Sequence, residues 1–171
     1  MTAPETTTWP GARSSVAAAV RRPATRVTRV SRSSKPTVLF RSLYHGSASG
    51  GGFDDEYGLF LIRRSGLWAE HWRRMHRGHR PMPPPPPVDL VRETVIVLAV
   101  GTRPVLGFDV AIEDVTVREE TLVVTATETR PVGDVTFDMS CSPVHVVAAR
   151  VDPRSFDKML LNLLIKPAED E

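Results

Sequence analysis

The most constraining feature of this chain lies between Thr94 and Asp152, where short runs of β character follow one another with only tight breaks between them. Thr94 to Val100 is continuously apolar, which predicts a central strand covered on both faces. Phe108, Val110 and Ile112 share one face of an extended chain, whereas Val115 and Val117 fall in the opposite phase. Both groups point inward only if one extra residue is inserted near Glu113-Asp114, so a β-bulge is predicted there. Arg118 to Glu120 reads as a turn, after which Leu122, Val124 and Ala126 alternate with Val123, Thr125 and Thr127. Beyond Arg130 to Asp134, the residues Val135, Phe137, Met139 and Cys141 alternate with Thr136, Asp138 and Ser140, and Val144 to Val151 closes the set. Closely spaced strands with tight turns predict a mainly β, α+β fold, built as an antiparallel β-sandwich-like pair of sheets or one strongly curved sheet.

Upstream, Thr37 to Tyr44 and Tyr57 to Arg63 read as two strands forming a hairpin, joined by a mobile loop from His45 to Asp55 that contains Gly50-Gly51-Gly52. Ser65 stands where a helix N-cap would. Trp68, Trp72 and Met75 then recur at the spacing of one helical face, which predicts a helix from about Gly66 to Arg77. Five consecutive prolines, Pro83 to Pro87, favour polyproline II and would span roughly 16 Å at about 3.1 Å per residue. Pro84-x-x-Pro87 near Arg80 fits the pattern of an SH3-type ligand, but a stiff spacer between helix and sheet explains it without a partner. At the other end, Asp152-Pro153 followed by Phe156, Met159, Leu160, Leu163 and Leu164 predicts a short C-terminal helix with one apolar stripe.

The charge divides the chain. Residues 1–35 hold seven basic side chains against Glu5, so the rest carries a net charge of −4 although the whole is +2. The sequence pI of 9.0 thus reflects the first segment, which lacks periodicity and reads as a disordered basic extension. Its Arg- and Ser-rich character also fits an organelle transit peptide, as a second reading. The organisation expected is residues 1–35 as extension, 36–152 as one β-rich domain with its core motif region at 91–152, and 153–171 as helix and acidic tail. A mildly acidic body does not favour a specific nucleic-acid surface. No apolar run approaches the roughly 18 to 20 residues that cross a bilayer, and no secretory signal is recognised, so cytoplasmic residence is the expectation.

Two proline-containing loops interrupt the strands: Gly101 to Phe108 and Cys141 to His145. In the first, Gly101 and Gly107 permit backbone shapes closed to other residues, and Pro104 fixes φ, so the loop could present Arg103 and Leu106 rigidly. Phe108 is expected in the core. Ser142, Pro143 and His145 form the second candidate surface. Catalysis by Cys141 with His145 would need a thiolate and an imidazole in hydrogen-bond reach. Cys141 instead shares its strand phase with Phe137 and Met139, the pattern of an inert core cysteine. His71, His76 and His79 with Glu70 lack the His-Glu-x-x-His spacing of a zinc helix and read as solvated among Arg73, Arg74, Arg77 and Arg80. Asp54-Asp55-Glu56 lacks the ligand pattern of a calcium loop. No catalytic residue, metal site or cofactor is assigned.

From Val95 onward the order of features resembles the C-terminal domain of the PrcB family, subunits associated with bacterial protease complexes, with a likeness extending over roughly residues 37–152. In that family a strand ends in Gly-x-x-Pro-Thr-Gly-Gly-Tyr, and a Ser-Pro-Tyr/Phe-His-like turn leads into the last strand. The counterparts are Gly101, Pro104, Gly107 and Phe108, then Ser142, Pro143, His145, Val146 and Val147. Trp68-Ala69-Glu70-His71-Trp72 and the proline-rich approach to Val88-Asp89-Leu90 are similar to the family's run-in. Val105 stands in place of the usual threonine, Leu106 of a glycine and Val144 of an aromatic residue. The resemblance implies a non-catalytic protein-binding module that stabilises or assembles a protease. The loop is also similar to that of chagasin-type cysteine protease inhibitors, through Pro104, Gly107 and Phe108, which makes inhibition the alternative; a Cys-His hydrolase is the remote one.

Overall fold

The computed structural model describes residues 37–48, 52–53, 55–132 and 139–168. In chain order they form β1 (Phe40–Ser47), β2 (Tyr57–Ile62), α1 (Ser65–Met75), β3 (Thr94–Val100), β4 (Asp109–Arg118), β5 (Thr121–Arg130), β6 (Pro143–Ala149) and β7 (Lys158–Pro167). The fold is mainly β, with one helix. One sheet has the order β1-β6-β3-β2 with every pairing antiparallel, and the other the order β4-β5-β7. The expectations for residues 1–35 and for a strand from Val135 lie largely outside the described residues.

Alternation on β3 explains the layering. Ile96, Leu98 and Val100 face the three-stranded sheet, where they meet Val110, Ile112, Val115, Leu122, Val124 and Ala126 in a fully buried core. Val95, Val97 and Ala99 face the other way, onto Trp68, Trp72 and Met75 of α1. Every residue of β3 is buried, as a central strand with two covered faces requires. The described residues therefore form a β-sandwich carrying a helix on one outer face.

The predicted bulge is present: the β4–β5 register shifts between Ile112 and Asp114, which lets Val110 and Ile112 on one side and Val115 on the other all face inward. The β4–β5 turn is two residues long, with Glu119 and Glu120 both at positive φ, 46° and 62°. This is the primed geometry whose twist suits a hairpin.

Three expectations are corrected. β1 and β2 do not form a hairpin; they lie at opposite edges of their sheet, with β6 and β3 between them. Ser65 is the first residue of α1 rather than its cap, a position taken by Arg64. The C-terminal segment is a strand, not a helix: β7 pairs in parallel with β5 over Thr121↔Lys158 to Arg130↔Pro167. The free edge of β5 offers ten residues a ladder of hydrogen bonds, while an isolated helix would have left its carbonyls and amides no better satisfied and its apolar stripe without a cover.

The proline run does connect helix to sheet, and it also packs. The indole N–H of Trp72 donates to the Pro83 carbonyl at 2.7 Å, and that of Trp68 to the Pro86 carbonyl at 3.1 Å. Carbonyls three residues apart on the extended segment thus meet tryptophans four apart on α1, in opposite chain directions. Nor is the glycine segment wholly a free loop: Phe53 is 1% exposed and belongs to the core beneath α1. A Cβ on Gly52 would sit 1.9 Å from the Arg74 carbonyl oxygen, so only glycine allows this approach. His76 is buried, not solvated, with its ring 4.1 Å from that of Trp72 and 5.0 Å from that of Tyr44. Among the described residues no helix is long and apolar enough to cross a membrane.

Candidate functional site

The C-terminal ends of β3 and β5 and the N-terminal ends of β4 and β6 lie at one end of the sandwich, as the pairings Ala99↔Val144 and Asp109↔Thr129 require. The two candidate loops consequently meet there. Arg103 and Cys141 form an isolated antiparallel bridge, with Arg103 N–H donating to the Cys141 carbonyl at 2.7 Å and Cys141 N–H to the Arg103 carbonyl at 3.1 Å. The Cys141 thiol adds a third tie, to the Val105 carbonyl at 3.1 Å.

Glycine enables the shape of the first loop. Gly101 is buried at φ 71°, and Gly107 has φ 94° with the Pro131 Cβ 3.1 Å from where its own Cβ would be. Pro104, Leu106 and Gly107 are exposed. Arg103 is not presented to solvent, contrary to expectation. Its guanidinium donates through Nε and Nη2 to the two carboxylate oxygens of Glu128, at 3.0 and 2.9 Å, and lies 5.9 Å from the centroid of the half-buried Phe108. Glu128 is 1% exposed, so its charge must be matched from within, and Arg130 adds a second guanidinium at 3.7 Å. The sequence carried a signal for this pair: Glu128 continues the inward phase of Leu122, Val124 and Ala126, where an acid needs a partner.

The second loop is also corrected in detail. Ser142, Pro143 and His145 are all buried. Ser142 N–H donates to Ser47 Oγ at 2.9 Å and its carbonyl accepts from Ala48 N–H, so this segment is pinned to the end of β1. Exposure falls instead on Met139, expected in the core, and on Ser140. Val132 is exposed on the strand-end segment beside Pro131. Among the described residues, the apolar groups offered to solvent at this end are thus Pro104, Leu106, Val132 and Met139.

His145 lies inside β6 and faces β4. Its Nδ1 accepts from Ile112 N–H at 2.7 Å, the amide next to the bulge. With Nδ1 acting as acceptor, the neutral ring carries its proton on Nε2 and donates it to Ser42 Oγ, 3.0 Å away. The His45 ring lies 4.5 Å away and contacts the Asp109 carboxylate at 2.9 Å. Burial, and secondarily the neighbouring His45, push the His145 pKa down to about 4, against a smaller upward pull from Asp109.

Ser42, His145, His45 and Asp109 have the residue types of a hydrolytic relay but not its proton placement. A general base would present its Nε2 lone pair to the serine hydroxyl, whereas here Nε2 holds the proton. Nor are Cys141 and His145 paired, since the thiol bonds to Val105 and both ring nitrogens are engaged elsewhere. Burial pushes the Cys141 thiol pKa up, away from the reactive thiolate. Among the described residues no group of three or more His, Cys, Asp and Glu side chains is placed to hold a metal ion.

No curated protein and no solved structure matches the chain. A family model does: PrcB C-terminal, over residues 94–149. The match is narrower than the likeness over roughly 37–152, leaving out β1, β2 and α1, and it runs from the central strand to the end of β6. Both loops, their mutual bridge and the Arg103–Glu128 pair fall within it, and it is over residues 94–149 that this chain is similar to the PrcB C-terminal family.

Proposed function

We infer that this protein is a non-catalytic protein-binding module whose partner is a protease or a subunit of a protease complex, held through the paired loops at the Gly101–Gly107 end of the sandwich. The observation that carries this reading is the two-way Arg103–Cys141 bridge, which fastens two otherwise separate loops into one unit. A loop already held in place loses little further entropy on binding, and exposed apolar groups on a rigid base are suited to anchor a partner. The family match supports the protease-complex setting. Binding of this kind stabilises the client to the degree that its folded state is preferred.

The test is capture from the native extract with wild-type protein and with Leu106→Asp combined with Met139→Asp. Both positions are exposed, so the variant should melt with the wild type. Recovery of a protease by wild type, reduced at least about tenfold in the variant as expected for loss of an apolar anchor, supports the reading. Equal recovery by both would overturn the assignment to this end of the molecule. The activity of the captured protease then separates an assembly subunit, which leaves activity intact or raised, from an inhibitor, which lowers it.

A further inference from the structure

Among the described residues β7 is an edge of its sheet, and the lysines and proline that guard such edges stand only at its ends. Among the described residues its pairing is with β5 on one side only. It runs ten residues, and from Met159 to Ile165 it contains no charge and no proline. Met159, Leu160, Leu164 and Ile165 are each about half exposed. The opposite edge of this sheet differs: alongside β4, Val38 N–H donates to the Val115 carbonyl and Thr37 bridges Thr116, so the chain itself covers part of it. A long apolar edge left open in this way is a template for strand addition.

The sequence says what fits it. Lys158-Met159-Leu160-Leu161-Asn162-Leu163-Leu164-Ile165-Lys166 has the same chemical order in both directions about Asn162. Antiparallel pairing of two such strands about a twofold axis sets residues of the same face opposite one another. With Asn162 on the axis, Leu160 meets Leu164 of the second copy on the outer face. On the inner face Leu161 meets Leu163, and Met159 meets Ile165. Moving the axis by one residue along β7 puts Asn162 against Leu160 or Leu164 and a lysine against a leucine. Self-complementarity therefore selects both the occupant and the register. We propose that this protein forms a homodimer through antiparallel β7–β7 pairing centred on Asn162, joining two three-stranded sheets into one of six strands. This surface lies outside the family-matched segment and runs along the side of the sheet, reaching the loop end only at Lys166 and Pro167. The lysines at either end face each other across the interface, so dimerisation tightens as added salt screens them.

Sedimentation or light scattering of the full chain, with two paired-charge variants, tests it. Wild type is expected to be dimeric. Leu160→Lys with Leu164→Lys places like charges opposite one another and should weaken the dimer at least a hundredfold. Leu160→Glu with Leu164→Lys places opposite charges in the same two contacts and should recover most of that loss. Asn162→Cys should form an interchain disulfide on mild oxidation, and Leu160→Cys should not, because position 160 is displaced from the axis. A wild-type monomer at hundreds of micromolar overturns the proposal, as does a dimer indifferent to the charge variants or a cross-link at 160 in preference to 162. A monomer whose client capture is lost in the double-lysine variant also overturns it, and assigns the edge to a strand of the client instead.

Discussion

His145 lies where a break in regular pairing and a buried ring meet. Ile112 lies beside the bulge, and its N–H donates to Nδ1 of His145 at 2.7 Å. Burial is the main reason the pKa falls to about 4, with a smaller push from His45, and protonating the ring would also destroy that acceptor. In the unfolded chain the ring binds its proton below about 6.5, while in the folded protein it does so only below about 4. The unfolded state therefore binds more protons between those values. His145 contributes fully above about pH 6.5, and its contribution of roughly 2–3 kcal/mol is lost as pH falls towards 4. His45 and Asp109, the titratable groups beside it, face it from β1 and β4. Denaturant melts across this range should show the slope in wild type and a reduced one in His145→Asn, whose amide oxygen can still accept from Ile112. His145→Leu leaves that amide unpaired and should be less stable than His145→Asn by about 1–3 kcal/mol at pH 7. The Arg103–Glu128 pair gives a second prediction. Arg103→Ala leaves a carboxylate that is 1% exposed with only the longer Arg130 contact and should cost about 3 kcal/mol, whereas Arg103→Met with Glu128→Leu should recover much of it. Glu128 left a trace in the sequence by continuing an inward apolar phase, but the role of His145 did not: His145 was assigned to a loop because Ser142-Pro143 resembles a turn, and only the fold brings the bulge to it.

At the scale of elements, what the sequence revealed and what it hid divide along local and non-local lines. β3, the β4 bulge and the β4–β5 turn follow from periodicity within one or two strands, and they were legible. Strand partners were not: β1 and β2 are neighbours in sequence, but β6 and β3 occupy the places between them because those buried strands need partners on both sides. The C-terminal segment failed for a different reason. Phe156, Met159, Leu160, Leu163 and Leu164 satisfy a helical spacing, while Leu161 and Leu163 satisfy a two-residue period, and a leucine-rich run supports both. The apparent helix start at Asp152 is a turn, with Asp152 Oδ1 accepting from Arg154 N–H at 2.8 Å. Two substitutions probe element packing. Gly52→Ala pushes a methyl group into the Arg74 carbonyl and should cost more than the roughly 1–3 kcal/mol of ordinary overpacking, with tryptophan fluorescence reporting displacement of α1. Thr116→Val removes a buried hydroxyl that has no hydrogen-bond partner and should raise stability by up to about 1–2 kcal/mol in thermal or urea melts.

At the largest scale, the sandwich gathers the family-matched loops at one end and, among the described residues, leaves β7 open along one side. The central strand and its two covered faces give a rigid body, so the paired loops are positioned by packing rather than by a ligand. The sequence had already singled out Pro104, Leu106 and Gly107, which the fold does expose, but it could not separate them from Arg103, which turns inward to meet Glu128. Met139 escaped notice because strand alternation placed it with Cys141. The account rests on this end being where a protease is held. Its most direct test is site-specific photo-cross-linking in the native extract, with the reactive side chain at Leu106 and, as control, at Val91, an exposed position before the opposite end of β3. The account predicts a protease or protease-complex subunit joined through position 106 and not through position 91. Cross-linking of that partner equally at both positions, or at position 91 alone, would contradict it.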